Sequence, residues 1–288
     1  MKYAILLTGL QRNHKPFINN QKECLINDNN CDVFIYTSND SFNRYVDKTE
    51  IKYVENKKYN NEEDYFLTAY GEKLKDIYID YDENRYDAFR SKYFSDCRND
   101  FNINLIKAYF KVFSAIDIME QYETENNIKY DGVFRARLDS FFLRKIDLTK
   151  YDLNDTYCTI AHDTYHKDDA GIFMDRKKLQ YLKSFVFELI EKRNQEINIK
   201  VEEELFSYIK RHSTIKYIPN FINRVGCPPT LKYNEVPYLS KIDFDELSSL
   251  EYDIHWDKSS GMFNRKIKKI NLLSRINYKM KNMMRKIL

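Results

Sequence analysis

Short apolar runs and amphipathic segments alternate along the first part of the chain. Residues 3–8 (YAILLT) form an apolar run that ends at Gly9, and residues 31–39 (CDVFIYTSN) form a second run rich in β-branched and aromatic side chains. An amphipathic segment near residues 16–27 separates the two runs, and residues 51–56 (IKYVEN) are a candidate third strand. Buried strands joined by a helix are typical of a parallel sheet. We therefore predict an α/β fold whose sheet begins near the amino terminus.

The middle of the chain contains the clearest helical pattern. Apolar residues recur at helical spacing over residues 102–126, which predicts an amphipathic helix there. Residues 57–100 are polar with weak periodicity, and we interpret them as an insertion of helices and loops. Further strands are predicted within 129–142, over 156–163 and 170–176 and near 213–226, and further helices over about 176–194 and 201–212.

The stretch FRARLDSFF, residues 134–142, combines apolar and charged positions in alternation. In a strand, alternate side chains point to opposite faces, so Arg135, Arg137 and Asp139 share one face. Burying such groups is costly unless they are paired or meet a charged ligand. Arginine binds phosphate oxygens through its forked donors, and ligands of open α/β sheets lie at the carboxyl ends of the strands. The pattern therefore indicates either a nucleotide-diphosphate site or an internal salt-bridge network.

Charge is distributed unevenly along the 288 residues, although the formal net charge is only +3. Ten basic residues and no acidic ones follow Asp257, which leaves 37 of the 47 basic residues for the body against all 44 acidic ones. Apolar residues in 262–288 recur at roughly helical spacing. We predict a body over 1–257 and a basic amphipathic helical tail over 258–288. Such a tail could lie on an anionic membrane, bind nucleic acid or pack on its own domain.

The cysteines and the apolar content limit the classes of protein to which the chain can belong. The five cysteines are scattered, and the nearest pair lies seven residues apart, which argues against a zinc site and a disulfide scaffold. A reducing cytoplasm is therefore the expected compartment. No apolar run approaches the length of about 18 residues needed for a membrane span, and the opening residues turn polar too soon for a signal peptide. Neither a GxGxxG motif nor a P-loop is present.

Two motifs give the chain a resemblance to a known family. The first is Gly-x-x-Arg, present here as Gly9–Arg12, and the second is Tyr-Asp followed by Arg-x-Arg-x-Asp, present here as Tyr130–Asp139. With the strand and helix between them, these motifs resemble the GT-A-like, nucleotide-sugar-dependent glycosyltransferases of viral and bacterial polysaccharide synthesis. The likeness in order of elements covers about residues 1–225. It implies a GT-A-like, Rossmann-like and mostly parallel sheet flanked by helices, with the helical insertion and the basic tail added.

The resemblance also implies an activity and a donor site. The expected reaction moves a sugar from a nucleotide-sugar donor to a hydroxyl of a glycan or glycoconjugate acceptor. The implied donor-binding residues are Thr8, Gly9, Arg12, Arg135, Arg137 and Asp139. Asp139 would stand where the family places the last aspartate of its Asp-x-Asp metal motif, so Mn²⁺ or Mg²⁺ could take part. Arg137 replaces the first aspartate of that motif, and an arginine could instead neutralise the leaving diphosphate.

Acceptor-side residues are implied by the same resemblance. Asp168 and Asp169, or Glu203 and Glu204, are candidates for the base that takes the proton of the acceptor hydroxyl. His255 is a candidate for a metal or diphosphate contact. The alternatives are a solvated loop for the aspartates, a favourable helix start for the glutamates and an ordinary linker for the histidine.

Two other functions compete with the transferase. The basic tail could make the chain a nucleic-acid-binding or membrane-binding protein, although the acidic body argues against a broad nucleic-acid footprint. The chain could also be a catalytically inactive transferase-like domain that binds glycans. Among partners we expect a donor, an acceptor and a peripheral membrane contact through 262–288 before any nucleic acid.

Overall fold

A computed structural model of the chain divides into two units, residues 1–226 and residues 227–288. The structure describes residues 1–10, 15–38, 62–94, 103–138, 140–142, 145–161, 167–195, 201–224, 255–257 and 262–264.

The first unit alternates strands with helices. Its strands are β1 (Tyr3–Leu10), β2 (Cys31–Ser38), β3 (Leu74–Asp80), β4 (Gly132–Arg137), β5 (Ser140–Phe142), β6 (Thr156–Ala161), β7 (Lys167–Asp175) and β8 (Ile215–Arg224). Its helices are α1 (Lys15–Gln21), α2 (Glu62–Tyr70), α3 (Asn84–Tyr93), α4 (Ile103–Glu125), α5 (Leu179–Asn194) and α6 (Val201–Lys210). A π-helical turn, Lys22–Ile26, continues α1.

The strands form one mixed sheet in the order β3-β2-β1-β4-β7-β6-β8-β5. Six of these eight strands run in the same direction, and β7 and β5 run against them. The chain moves outward from β1 to β2 and β3 and then returns to place β4 on the other side of β1. The prediction of an α/β fold with a mostly parallel sheet flanked by helices is therefore confirmed, and the arrangement is compatible with a Rossmann-like fold.

Apolar side chains cover the sheet on both faces. Ala4 and Leu6 of β1 point to a core shared with α3, α4, α5 and α6, which we call the α4 face. Tyr3, Ile5 and Leu7 point to a core shared with α1 and α2, which we call the α1 face. Neighbouring residues of a regular strand point to opposite faces, so Arg135 of β4 shares the α4 face with Val133. The α4 helix itself spans almost the predicted range.

Two predictions about elements need correction, and a third falls outside the part of the chain that the structure describes. Residues 57–100 are not only helices and loops, because they contain β3, which pairs with β2 in parallel. The candidate strand 51–56 lies outside the described residues. The stretch 134–142 is not one strand, because β4 ends at Arg137 and the chain turns at Leu138 before β5 pairs with β8.

The second unit is described only as an antiparallel hairpin of β9 (His255–Asp257) and β10 (Met262–Asn264). The predicted start of a helix at about residue 262 is therefore wrong for Met262–Asn264, and the rest of the basic tail lies outside the described residues. Within the ranges given above, no helix combines the length and the apolar character that crossing a bilayer requires.

Candidate functional site

The reversal of strand order between β1 and β4 creates the candidate site. In open α/β sheets, ligands bind outside the carboxyl ends of the strands, at the point where the order reverses. Thr8 of β1 lies opposite Arg137, the last residue of β4, and Gly9 lies opposite Thr37 of β2. Three of the residues named from the sequence, Thr8, Gly9 and Arg137, are thus brought together at this carboxyl edge.

Arg135 lies inside the protein and not on an open strand face. Its side chain points to the α4 face, and the residue is only 4% exposed. Its Nε donates a hydrogen bond of 3.2 Å to Oγ1 of the buried Thr8, and its guanidinium lies 5.9 Å from the ring centre of Tyr109 on α4. This position against an aromatic ring adds a cation–π attraction. The arginine is therefore a fixed positive charge between the sheet and α4, two residues before the carboxyl end of β4.

Lys111 is a second buried cation at this edge, and its place there was not predicted from the sequence. It belongs to α4 and is 5% exposed, and its Nζ donates a hydrogen bond of 2.8 Å to Oγ of Ser38, the last residue of β2. Its neighbours Phe110 and Val112 are both buried. Apolar spacing alone does not reveal such a residue. The available signal is a lysine among the buried residues in the middle of α4.

Gly9 adopts a backbone conformation that favours glycine. Its φ angle is +131°, beyond the left-handed helical region that other residues occasionally enter. The backbone around it is tied on both sides, because Leu138 N donates to Thr8 O at 3.0 Å and Thr37 Oγ1 donates to Gly9 O at 2.8 Å. Of the described atoms, only Leu138 N would lie within 4 Å of a Cβ added at Gly9, at 4.0 Å. Because none of the described residues crowds that position, the need for glycine is conformational.

A buried carboxylate lies at the end of β3 on the same face. Asp80 accepts a hydrogen bond of 3.2 Å from the hydroxyl of Tyr36 in β2. Burial raises the pKa of Tyr36 above its usual value, so the phenol stays protonated and continues to donate. Tyr36 stacks on Tyr78 at 5.3 Å, and the guanidinium of Arg85 lies 4.4 Å from the ring centre of Tyr78. Aromatic rings and one arginine thus line the β2–β3 side of the edge.

The two ends of the longer motif have different positions. Tyr130 precedes β4 and lies at the amino edge of the sheet, where its hydroxyl donates to Asp32 at 2.7 Å. The carboxylate of Asp131 accepts from the backbone N–H of Lys2 at 2.6 Å. These contacts fasten β4 to the start of β1 and β2. The Tyr-Asp pair therefore supports the sheet, and the arginines of the motif belong to the carboxyl edge.

The acceptor-side candidates lie on elements that reach the same edge. β7 continues past its pairing with Ala136 of β4, and Asp168 and Asp169 belong to this extension, where Asp168 pairs with Thr159. Because α6 leads into β8, which runs in the direction of β4, its first turn lies on the carboxyl side. In that turn Glu203 is exposed and Glu204 forms an ion pair with Lys192 of α5.

The remaining candidates do not belong to the described part of the first unit. Arg12 and Asp139 lie outside the described residues, and His255 belongs to β9 of the second unit. No three histidine, cysteine or acidic side chains in the described ranges lie close enough together to hold a metal ion. The described polar groups on this face of the edge include two buried cations, each bonded to a hydroxyl, and the carboxylate of Asp80. The two cations fit an anion, and Asp139 is the candidate metal ligand.

Comparison with known proteins does not supply an assignment. No protein-family model matches the sequence, and no curated protein matches it at a significant level. Function is therefore inferred from the chemistry of the carboxyl edge and from the two motifs that meet there.

Proposed function

We propose that this chain is a glycosyltransferase that binds the diphosphate of a nucleotide sugar at the carboxyl edge between β1 and β4. The supporting observation is the pair of buried cations, Arg135 and Lys111, held by Thr8 and Ser38 where the strand order reverses. Arginine and lysine both bind phosphate oxygens, and an enclosed cation attracts an anion more strongly than an exposed one. The sheet order and the two motifs support a GT-A-like arrangement of the donor.

The cations would act on the leaving group. Transfer breaks the bond between the sugar carbon and the diphosphate oxygen, so negative charge develops on the departing diphosphate. Fixed positive charges in a site shielded from water stabilise that charge without having to reorganise. Arg135 and Lys111 would supply this stabilisation from the α4 face. Arg137, partly exposed at the last residue of β4, would reach the diphosphate from the rim.

The acceptor hydroxyl would lose its proton to an acidic residue on the other side of the donor. Asp168 and Asp169 on the extension of β7 remain candidates for this base. Of the two glutamates of α6 we favour Glu203, because its side chain is exposed and that of Glu204 is partly buried. A base must come within hydrogen-bond reach of the hydroxyl that it activates, and an exposed side chain at this edge can do so.

A divalent metal is an open part of the proposal. The two buried cations at the edge suit phosphate oxygens, while Asp80 is a buried carboxylate on the same face at the end of β3. Asp139 would be the metal ligand if one is needed. Cys24, Cys31 and Cys158 are buried in the described part of the chain, and buried thiols of this kind support the proposed cytoplasmic setting.

The proposal is tested with a panel of UDP-, GDP-, ADP- and dTDP-linked sugars, scored by release of the nucleotide with and without Mn²⁺. We expect one donor to be hydrolysed or transferred by the wild type and release to fall by at least about tenfold in Arg137→Ala. Loss of release in Asp139→Asn together with a requirement for Mn²⁺ would assign the metal to Asp139. Binding of a donor without release would favour the inactive, glycan-binding alternative. If no donor binds, the charged groups are an internal network and the transferase proposal is wrong.

A further inference from the structure

Gln21 holds the turn that follows β4. It is the last residue of α1 and is fully buried, with 0% of its surface exposed. Its Nε2 donates hydrogen bonds to Leu138 O at 2.9 Å and Ser140 O at 3.1 Å, and a longer one to Arg137 O at 3.5 Å. Carbonyl oxygens only accept hydrogen bonds, so the amide nitrogen of Gln21 must face the turn. One side chain thus bonds to three backbone groups of this turn.

Tyr70 fixes the other end of the same amide. Its hydroxyl, on the last residue of α2, donates a hydrogen bond of 2.8 Å to Gln21 Oε1. Tyr70 is buried, and burial raises its pKa above the usual value, so the hydroxyl remains a donor at neutral pH. With Oε1 held by Tyr70, the NH₂ group keeps its direction toward the turn.

The turn is also held from the side of β1. Leu138 N donates to Thr8 O at 3.0 Å, while Leu138 O accepts from Gln21. The peptide groups on both sides of Leu138 are therefore fixed by two different elements, β1 and α1. Arg137 immediately precedes this peptide, so its backbone is fixed relative to the end of β1 by the same bonds.

We propose that Gln21 is a positioning residue for donor binding, which sets the spacing between the end of β1 and Arg137 that the donor diphosphate needs. This inference rests on the proposed function. Gln21 would not contact the donor itself, and it would act through its hydrogen bonds to the backbone of the turn. A binding site loses much of its affinity when a supporting group lets the contacting residues shift by about 1 Å.

Asn29 provides a matched control because it makes the same kind of clamp elsewhere. It is also buried, and its Nδ2 donates to Leu25 O and Ile146 O, each at 2.7 Å. Its Oδ1 accepts from Leu148 N at 2.9 Å. Asn29 precedes β2 and so lies toward the amino edge, away from the candidate site. Replacing either amide by its acid removes donors from two carbonyl groups with little change in shape.

The experiment is a calorimetric titration with inorganic pyrophosphate, with and without MnCl₂, at a temperature at which each variant is folded. We expect Gln21→Glu to weaken binding by about tenfold, because a carboxylate cannot donate to Leu138 O or Ser140 O. Asn29→Asp should lower the melting temperature to a similar extent yet keep the affinity within about twofold. Tyr70→Phe keeps the ring and frees the amide, and we expect about threefold weaker binding.

Each outcome separates this inference from the function on which it rests. If the wild type does not bind pyrophosphate, the proposed diphosphate site is wrong and the role of Gln21 is wrong with it. If the wild type binds and both Gln21→Glu and Tyr70→Phe bind equally well, the site stands and the positioning role is overturned. Equal weakening by Gln21→Glu and Asn29→Asp would also overturn it, since the effect would then be one of general stability. Should Gln21→Glu fail to fold, Tyr70→Phe decides.

Discussion

Buried charge is the property that sets Arg135 and Lys111 apart at the residue scale. Lysine and arginine are almost never enclosed in a protein without a compensating contact, because removing a charge from water is expensive. The hydroxyls of Thr8 and Ser38 accept hydrogen bonds from these two cations and help to orient them. Both cations lie on the α4 face near the carboxyl ends of the strands. A bound diphosphate would supply negative charge at the place where the fold has concentrated positive charge.

The backbone at Gly9 gives the first prediction at this scale. We expect Gly9→Ala to lower the free energy of unfolding by about 1–3 kcal/mol, because an L residue is strained at a φ angle of +131°. Gly71→Ala is the control: its φ is +58°, and no atom of the described residues lies within 4 Å of the new Cβ, so the cost should be about 1 kcal/mol. Urea unfolding followed by circular dichroism measures both. A cost at Gly9 no larger than that at Gly71 would contradict this account of the β1 end.

The buried thiols give a prediction that depends on pH. Burial raises the pKa of Cys24 to about 12 and that of Cys31 to about 11, from an ordinary value of 9.0. The folded state therefore keeps protons that the unfolded state releases above about pH 9, so this stabilisation is present below that pH and is lost as pH rises. At about pH 8, iodoacetamide should label both cysteines slowly in the native protein and rapidly in urea, because only the thiolate reacts. Peptide mass spectrometry reads this directly, and equal rates in both states would contradict the burial.

At the scale of elements, the helices and strands that could be predicted are those whose formation depends on the local spacing of apolar residues. The spacing of apolar residues predicted α4 because those residues recur on its buried face, and the β-branched run predicted β2 because every residue of that strand is buried. β3 was missed since it is a sheet edge with exposed or partly exposed residues between its buried ends. An edge strand has only one neighbour and tolerates charged residues such as Lys75 and Asp76, which weaken the alternation.

The break between β4 and β5 could not be predicted for a different reason. It depends on amide side chains that are more than one hundred residues away in sequence. Gln21 binds the turn, and Asn20 pairs with Phe142 through bonds of 2.8 Å and 2.7 Å, as a neighbouring strand would. Such contacts are visible only once the chain has folded. The sequence therefore predicted that Arg137 lies at the edge, and it could not show how the backbone presents this residue.

The carboxyl-terminal part of α4 gives a prediction about how the elements are held together. Arg176 binds Glu123 through hydrogen bonds of 2.7–3.1 Å and also contacts Glu120 at 3.0 Å. Glu123 is buried, so we expect Glu123→Ala to destabilise the protein by about 3 kcal/mol, because Arg176 loses a partner inside the protein. The exposed Glu125→Ala should change stability by less than about 0.5 kcal/mol. Urea unfolding distinguishes the two, and equal effects would contradict the proposed importance of this ion pair.

At the scale of the whole molecule, the sheet order explains why two distant motifs meet. β1 and β4 are more than one hundred residues apart in sequence, yet they are neighbours because β2 and β3 occupy the other side of β1. The motifs were sufficient to predict that Thr8, Gly9 and Arg137 share an edge. Lys111 could not be predicted in the same way, because its place at the edge depends on how α4 crosses the sheet. The sequence motifs thus supply the side chains of the site, and the order of the strands in the sheet brings them together.

The proposed diphosphate site can be tested on its own by comparing two lysines of α4. Lys111 is buried at the edge, and Lys107, one turn earlier, is partly exposed and paired with Glu83. Each substitution to methionine removes one positive charge from the same helix. The measurement is the Kd for the nucleoside diphosphate that the wild type binds most tightly among UDP, GDP, ADP and dTDP. The account predicts at least about tenfold weaker binding by Lys111→Met, with Lys107→Met within about twofold of wild type. Wild-type affinity in Lys111→Met, or an equal loss in both variants, would contradict it.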